Sequence, residues 1–237
     1  MTTTESLVPG LAVGFDLDMT LIDSRPGIRA AYQQLSAETG VPIDADLVVT
    51  RLGPPLEDEI ANWFPADRVE EAADRYRALY PTYAIEPTTA LPGAREALEA
   101  VRAAGGRTVV VTGKWEPNAK LHLAHLGLDV DAVVGNVWAE GKALALREHG
   151  ASVYVGDHLG DVRGARAADA LSVAVTTGPY GAQALREAGA DVVLADLTGF
   201  PGWLADHCAA AAAAQEPVDA SADEADADEA ESASARA

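Results

Sequence analysis

The sequence predicts an α/β protein, a doubly wound parallel sheet with a small all-helical block inserted after its first strand. From residue 93 onward, short apolar segments alternate with helical ones, the pattern of a parallel sheet covered on both faces. Ahead of that alternation stands one strand-length apolar run, Leu11-Ala12-Val13-Gly14-Phe15. Residues 24–88 follow it with helical patterning and no strand.

Residues 1–9 are polar and read as a flexible N-terminus. The run from Leu11 to Asp16 reads as a strand buried on both faces. Pro26-Gly27 opens a helix to Thr39 with Ile28, Ala31, Tyr32 and Leu35 at helical spacing, and Gly40-Val41-Pro42 stops it. Further helices are expected over about 44–50, 55–63 and 67–80, separated by Gly53-Pro54-Pro55 and Phe64-Pro65. Tyr80-Pro81 begins the exit, and Pro87 to Pro92 is a linker. The alternation then runs through helix 93–104, strand 107–112, helix 116–126, strand 131–135, helix 140–149 and strand 152–156. It ends with helix 160–169, strand 171–175, helix 181–188 and strand 191–194. The expected organisation is an α/β core over 10–23 and 89–207, a helical cap over 24–88, and an acidic, disordered tail over 208–237.

The formal net charge of the 237 residues is −20, unevenly spread. Residues 215–237 carry eight acidic side chains against Arg236, leaving 29 acidic and 16 basic groups elsewhere, a net −13. An acidic body argues against a nucleic-acid surface. A single cysteine, Cys208, excludes an intrachain disulfide and makes a cytoplasmic setting the expectation. The N-terminus lacks the basic residues of a secretory signal, and no apolar run is long enough to span a membrane. Nothing in the pattern indicates an oligomeric state.

Asp16 and Asp18 close the first strand. In open α/β sheets chemistry collects beyond the carboxyl ends of the strands. Two carboxylates this close repel unless they share a proton or a cation, and a hard divalent metal is the usual remedy. Alone, the pair is equally an acidic turn. Three further groups sit at strand-to-helix boundaries: Thr112-Gly113-Lys114, Lys142, and Gly156-Asp157-His158-Leu159-Gly160-Asp161. Each is ordinary singly, a β-favouring Thr, a helix-start Lys and a Gly-Asp turn. Their joint occurrence, in this order, carries the weight.

With these four groups in order, the chain resembles the haloacid dehalogenase-like hydrolases, and more narrowly their phosphoglycolate-phosphatase-like branch. Asp16-Leu17-Asp18-Met19-Thr20 matches the family's Asp-x-Asp-x-Thr opening, Thr112 its second motif, Lys142 its third, and Gly156-Asp157 with Asp161 its Gly-Asp-x-x-x-Asp fourth. The helical block lies where that branch inserts its cap, and Leu52-Gly53-Pro54-Pro55-Leu56 looks like a cap segment common there. The resemblance covers roughly residues 11–205. Two departures stand out: Met19 replaces the usual Gly, and Ala143 the Pro that usually follows the third-motif lysine. Lys114 is therefore an alternative to Lys142 as the phosphate-binding lysine. Lys120, the chain's third lysine, is expected to face solvent.

The resemblance implies an Mg2+-dependent phosphatase acting on a small phosphorylated metabolite, phosphoglycolate or one like it. Asp16 would be the nucleophile, forming an aspartyl-phosphate. Asp18 would serve the leaving group as acid and then the water as base, and Thr112 and Lys142 would grip the phosphoryl oxygens. Mg2+ would be held by Asp16, Asp18 through its carbonyl, and Asp157, with Asp161 orienting Lys142 or a metal-bound water. Asp18 argues against a dehalogenase, and the absence of lysine from residues 1–113 argues against Schiff-base phosphonate chemistry. A phosphomutase, a pyrophosphatase, or an inactive phosphate-binding regulator would share this set. Arg51 is the cap residue to pick for contact with a substrate anion, the plainer reading being a solvated surface arginine. His122 and His125 read as ordinary helix residues, and His158 as a spacer in its motif. Trp115 and Trp138 would either wall the pocket or pack the core.

Overall fold

The structure, a computed structural model, describes residues 10–215. The apolar run after Gly10 forms β1 (Ala12–Phe15), buried along its whole length. A tight turn follows, in which Met19 takes a left-handed backbone with φ 60°. Such a backbone disfavours a side chain, which explains why Gly is usual there; burial of the Met19 side chain offsets the strain. The chain then forms the two-residue strand β2 (Ile22–Asp23) and later returns as β3 (Thr89–Ala90). These pair antiparallel, Ile22 opposite Ala90 and Asp23 opposite Thr89, so departure and return lie side by side.

Between them run α1 (Arg25–Thr39), α2 (Ala45–Val48), α3 (Leu56–Ile60) and α4 (Val69–Tyr83). They enclose an apolar cluster of their own, including Ile28, Tyr32, Leu35, Ile60 and Tyr76. The Tyr32 and Tyr76 rings meet at 4.5 Å between centroids. Where the start of α1 crosses the end of α4, a Cβ on Gly27 would collide with the Ala84 carbonyl, so only glycine fits. Helix α4 continues through Pro81, beyond the exit expected at Tyr80-Pro81. Proline removes one helical hydrogen bond, but burial of Leu79 and Tyr80 and the 2.8 Å bond from the Ala84 N–H to the Tyr80 carbonyl hold the last turn.

The alternation then builds the core: α5 (Ala94–Ala103), β4 (Arg107–Val111), α6 (Glu116–Leu126), β5 (Ala132–Val134), α7 (Lys142–Glu148) and β6 (Val153–Gly156). It continues through α8 (Leu159–Ala167), β7 (Leu171–Val175), α9 (Ala182–Glu187), β8 (Val192–Leu194) and α10 (Phe200–Gln215). The large sheet is parallel throughout, in the order β5-β4-β1-β6-β7-β8. With β1 between β4 and β6, strand order reverses at its carboxyl end, which opens the crevice where such sheets bind ligands.

Helix α10 corrects the expected start of the tail. Alanine is the best helix former, and Phe200, Leu204 and Cys208 lie four residues apart along one face, buried against the core. The Ala tract therefore extends a docked helix to Gln215. The flexible N-terminus expected over 1–9 and the rest of the acidic tail, 216–237, lie outside the described residues. Among the described residues no helix is long and apolar enough to cross a membrane.

Candidate active site

The Asp16 N–H donates to the Val155 carbonyl at 2.8 Å, extending the β1–β6 pairing by one residue. Lys142, the first residue of α7, is fully buried and donates to three oxygens: Asp16 Oδ1 at 3.0 Å, Tyr154 Oη at 2.8 Å and Asp161 Oδ1 at 2.6 Å. The Tyr154 hydroxyl passes its own proton to the Val111 carbonyl at 2.6 Å. Burial alone would lower a lysine pKa. Here Asp16 and Asp161 more than offset it and hold the ammonium protonated above its ordinary range.

Asp161 is fully engaged. Its Oδ1 takes Lys142, and its Oδ2 accepts the backbone N–H groups of Asp157 at 3.2 Å and His158 at 3.0 Å, capping α8. Asp157 Oδ1 accepts the Thr20 hydroxyl at 2.8 Å, while its Oδ2 lies so close to Gly178 that a Cβ there would collide with it. Carboxylate oxygens of Asp16, Asp157 and Asp161 all lie within 4.8 Å of one another. Burial, partly opposed by Lys142, pushes the Asp16 pKa up to about 7; burial and then Asp161 raise that of Asp157. Three carboxylates against one ammonium make a site short of positive charge. Its free donors, the uncommitted oxygens of Asp16 and Asp157, are the hard ligands a divalent cation of the magnesium class takes, and the fit is good.

Asp18 points to a different cation. Its Oδ1 stands 3.0 Å from Lys114 Nζ. The two candidate lysines are thus both in the site, each on its own carboxylate. Lys114 also donates to the Tyr80 hydroxyl at 2.7 Å, and that hydroxyl lies 2.9 Å from His122 Nε2. Burial, followed by Lys114, lowers the His122 pKa to about 3, so the ring is neutral. Which of the two donates follows the tautomer of the ring, whose Nδ1 is buried with no partner among the described residues. For Lys114, the opposing pulls of burial and its two partners resolve upward.

Thr112, buried just beyond β4, accepts the Lys114 N–H at 3.2 Å through Oγ1. His158 is the N-cap of α8, accepting the Gly160 N–H at 2.9 Å through Nδ1, and its ring lies 4.8 Å from both Trp138 and Tyr180. Lys120 is exposed and bonded to Glu116. One cavity of about 530 Å³ joins these parts, with Asp16, Asp18, Thr112 and Asp157 on its core side. Arg51, Trp115 and Trp138 line it too, but the Arg51 guanidinium is held 2.6 Å from Glu59. Tyr80 and His122 are contributors that sequence reasoning missed. His122 is no ordinary helix residue but a fully buried member of a network between core and cap.

The family model described as haloacid dehalogenase-like hydrolase matches residues 13–166, and a second, for HAD-like hydrolases, matches 138–200. The tyrosine-protein kinase PtkA of Mycobacterium tuberculosis is 31% identical over 181 residues, covering 70% of this chain. The chain spans 62% of that relative's length. The phosphoglycolate phosphatase of Rhodospirillum rubrum is 32% identical over 218 residues, covering 81% of this chain and 90% of its own. A haloacid dehalogenase-like hydrolase of Streptococcus pneumoniae superposes with a TM-score of 0.73 at 26% identity, over 83% of this chain and all of that one. The chain belongs to the haloacid dehalogenase-like hydrolases.

Proposed function

We propose that the protein is an Mg2+-dependent phosphatase that hydrolyses a small phosphomonoester through an aspartyl-phosphate. The observation that carries this reading is that Asp16, which lines the cavity, has the buried Lys142 Nζ 3.0 Å behind its Oδ1. A carboxylate attacking a phosphate dianion needs dense positive charge beside it. An Asp16 oxygen attacks phosphorus as the ester P–O bond breaks, and Asp18 gives the departing alcohol its proton. Asp18 then takes a proton from water, which attacks the acyl phosphate, releases inorganic phosphate and restores Asp16. Lys142 and the Thr112 hydroxyl hold phosphoryl oxygens through both steps. Asp161 keeps Lys142 aimed at Asp16 and fixes the turn carrying Asp157. Asp16 and Asp157, with the Asp18 carbonyl, would hold Mg2+, whose charge screens the carboxylate from the phosphate.

The test is phosphate release from a panel of phosphomonoesters, phosphoglycolate among them, with Mg2+ and with chelator. Release that needs Mg2+ and vanishes in a folded Asp16→Asn variant supports the reading; metal-independent release, or release by the variant, overturns it. A second reading, transfer of the phosphoryl group to a protein hydroxyl, is favoured by the similarity to PtkA. Label from a γ-labelled nucleotide appearing on protein tyrosine, rather than as free phosphate, distinguishes it.

A further inference from the structure

We propose that the ester this cavity takes has an uncharged, ring-bearing alcohol and not a carboxylic acid. The inference rests on the phosphatase reading and names its substrate class. Beyond the Asp16 floor, three cationic side chains line the cavity among the described residues, Arg51, Arg77 and Lys114, and each is already paired. Arg51 stands 2.6 Å from Glu59, whose same oxygen accepts the Trp63 indole N–H at 2.8 Å. Arg77 pairs with Glu57, and with Asp74 at 3.1 Å. Lys114 is shared between Asp18 and Tyr80.

On the cap side the lining therefore sets three carboxylates, Glu57, Glu59 and Asp74, against two guanidinium groups. A substrate carboxylate would meet like charge there, with no uncommitted cation among the described lining residues to receive it. A neutral alcohol meets no such barrier.

The walls point to a ring. Trp115 directly follows Thr112-Gly113-Lys114, lines the cavity, and is 38% exposed, which is high for the largest apolar side chain. A part-exposed indole in the lining of a cavity that also holds phosphate-binding groups offers apolar aromatic surface on which a ring can pack. At about 530 Å³ the space lies in the range that encloses drug-sized ligands, far more than a two-carbon acid fills.

The experiment compares kcat/KM for three alkyl esters of ordinary leaving ability: phosphoglycolate, glycerol 3-phosphate and benzyl phosphate. For the wild type, benzyl phosphate should exceed phosphoglycolate by about tenfold or more. Trp115→Ala should lower kcat/KM for benzyl phosphate roughly fivefold, mainly through KM, and hardly change it for glycerol 3-phosphate, while Trp115→Phe retains the preference. Glu59→Gln, which releases Arg51, should shift the ratio roughly threefold or more toward phosphoglycolate. A wild type preferring phosphoglycolate, or a Trp115→Ala loss equal on all three esters, overturns the inference while the phosphatase reading stands. Release from none of the three overturns both.

Discussion

Lys114 Nζ lies 3.0 Å from Asp18 Oδ1 and 2.7 Å from the Tyr80 hydroxyl, so one ammonium ties the second carboxylate of the core to helix α4 of the cap. The line continues through Tyr80 to His122 on α6, back in the core. A group that positions Asp18 is thus itself positioned by the cap.

Removing the Tyr80 hydroxyl breaks that line in two places. Tyr80→Phe leaves His122 Nε2 without its partner and Lys114 without one acceptor, all of them buried. The expected cost is about 1–3 kcal/mol of stability, read from urea unfolding. In kinetics, kcat should fall more than KM rises, because the variant loosens Asp18 and leaves the phosphate grip of Lys142 intact.

Acid should weaken the fold through His122. Its folded pKa, about 3, lies below the ordinary 6.5, so the fold favours the neutral ring. That contribution is whole above pH 6.5 and is lost as pH falls toward 3. His122→Gln keeps both a donor and an acceptor for Tyr80 but cannot titrate. Its unfolding midpoint should therefore decline less steeply than the wild type's from pH 6.5 to 4, and parallel slopes would dismiss the idea.

Lys142→Met should lower phosphate release by about 10²–10³-fold. Lys114→Met should cost less, since Lys114 serves Asp18 and not Asp16. Equal losses in the two variants would show that the lysines are not specialised in this way. Initial rates at saturating ester, with circular dichroism as the control for folding, decide it.

Gly178→Ala would press a methyl group against Asp157 Oδ2, while Thr20 holds the other oxygen of that carboxylate. Asp157 cannot yield without losing its bond to Thr20. The Mg2+ concentration giving half-maximal activity should rise about 10–100-fold. Calorimetric titration with the metal alone should show the same weakening.

The core was legible because its signals are local. Strand-length apolar runs ended by Gly or Asp mark β1, β4 and β6, and the groups at their carboxyl ends meet because parallel strands place their ends together. The two lysines could not be separated that way. Their difference lies in which carboxylate each reaches, and that depends on the helix-start turn at Lys142 and the loop after β4. Tyr80 and His122 stayed hidden for a related reason: forty-two residues apart, on different layers, they meet only through tertiary packing. The Ala tract read as tail because its composition is that of one, while its helix depends on Phe200 and Leu204 docking at the other end.

The side-by-side pairing of β2 with β3 gives the molecule a socket. Asp23 and Thr89 face each other across a single rung, so the sheet registers only a turn-sized gap, whatever lies between. The 65-residue insert, 24–88, could be exchanged for a shorter or longer one with the strand pairing of β1 and its neighbours undisturbed. Recognition and bond breaking are then largely separable inheritances: one catalytic floor can serve many roofs, provided each new roof replaces the hold that Tyr80 has on Lys114.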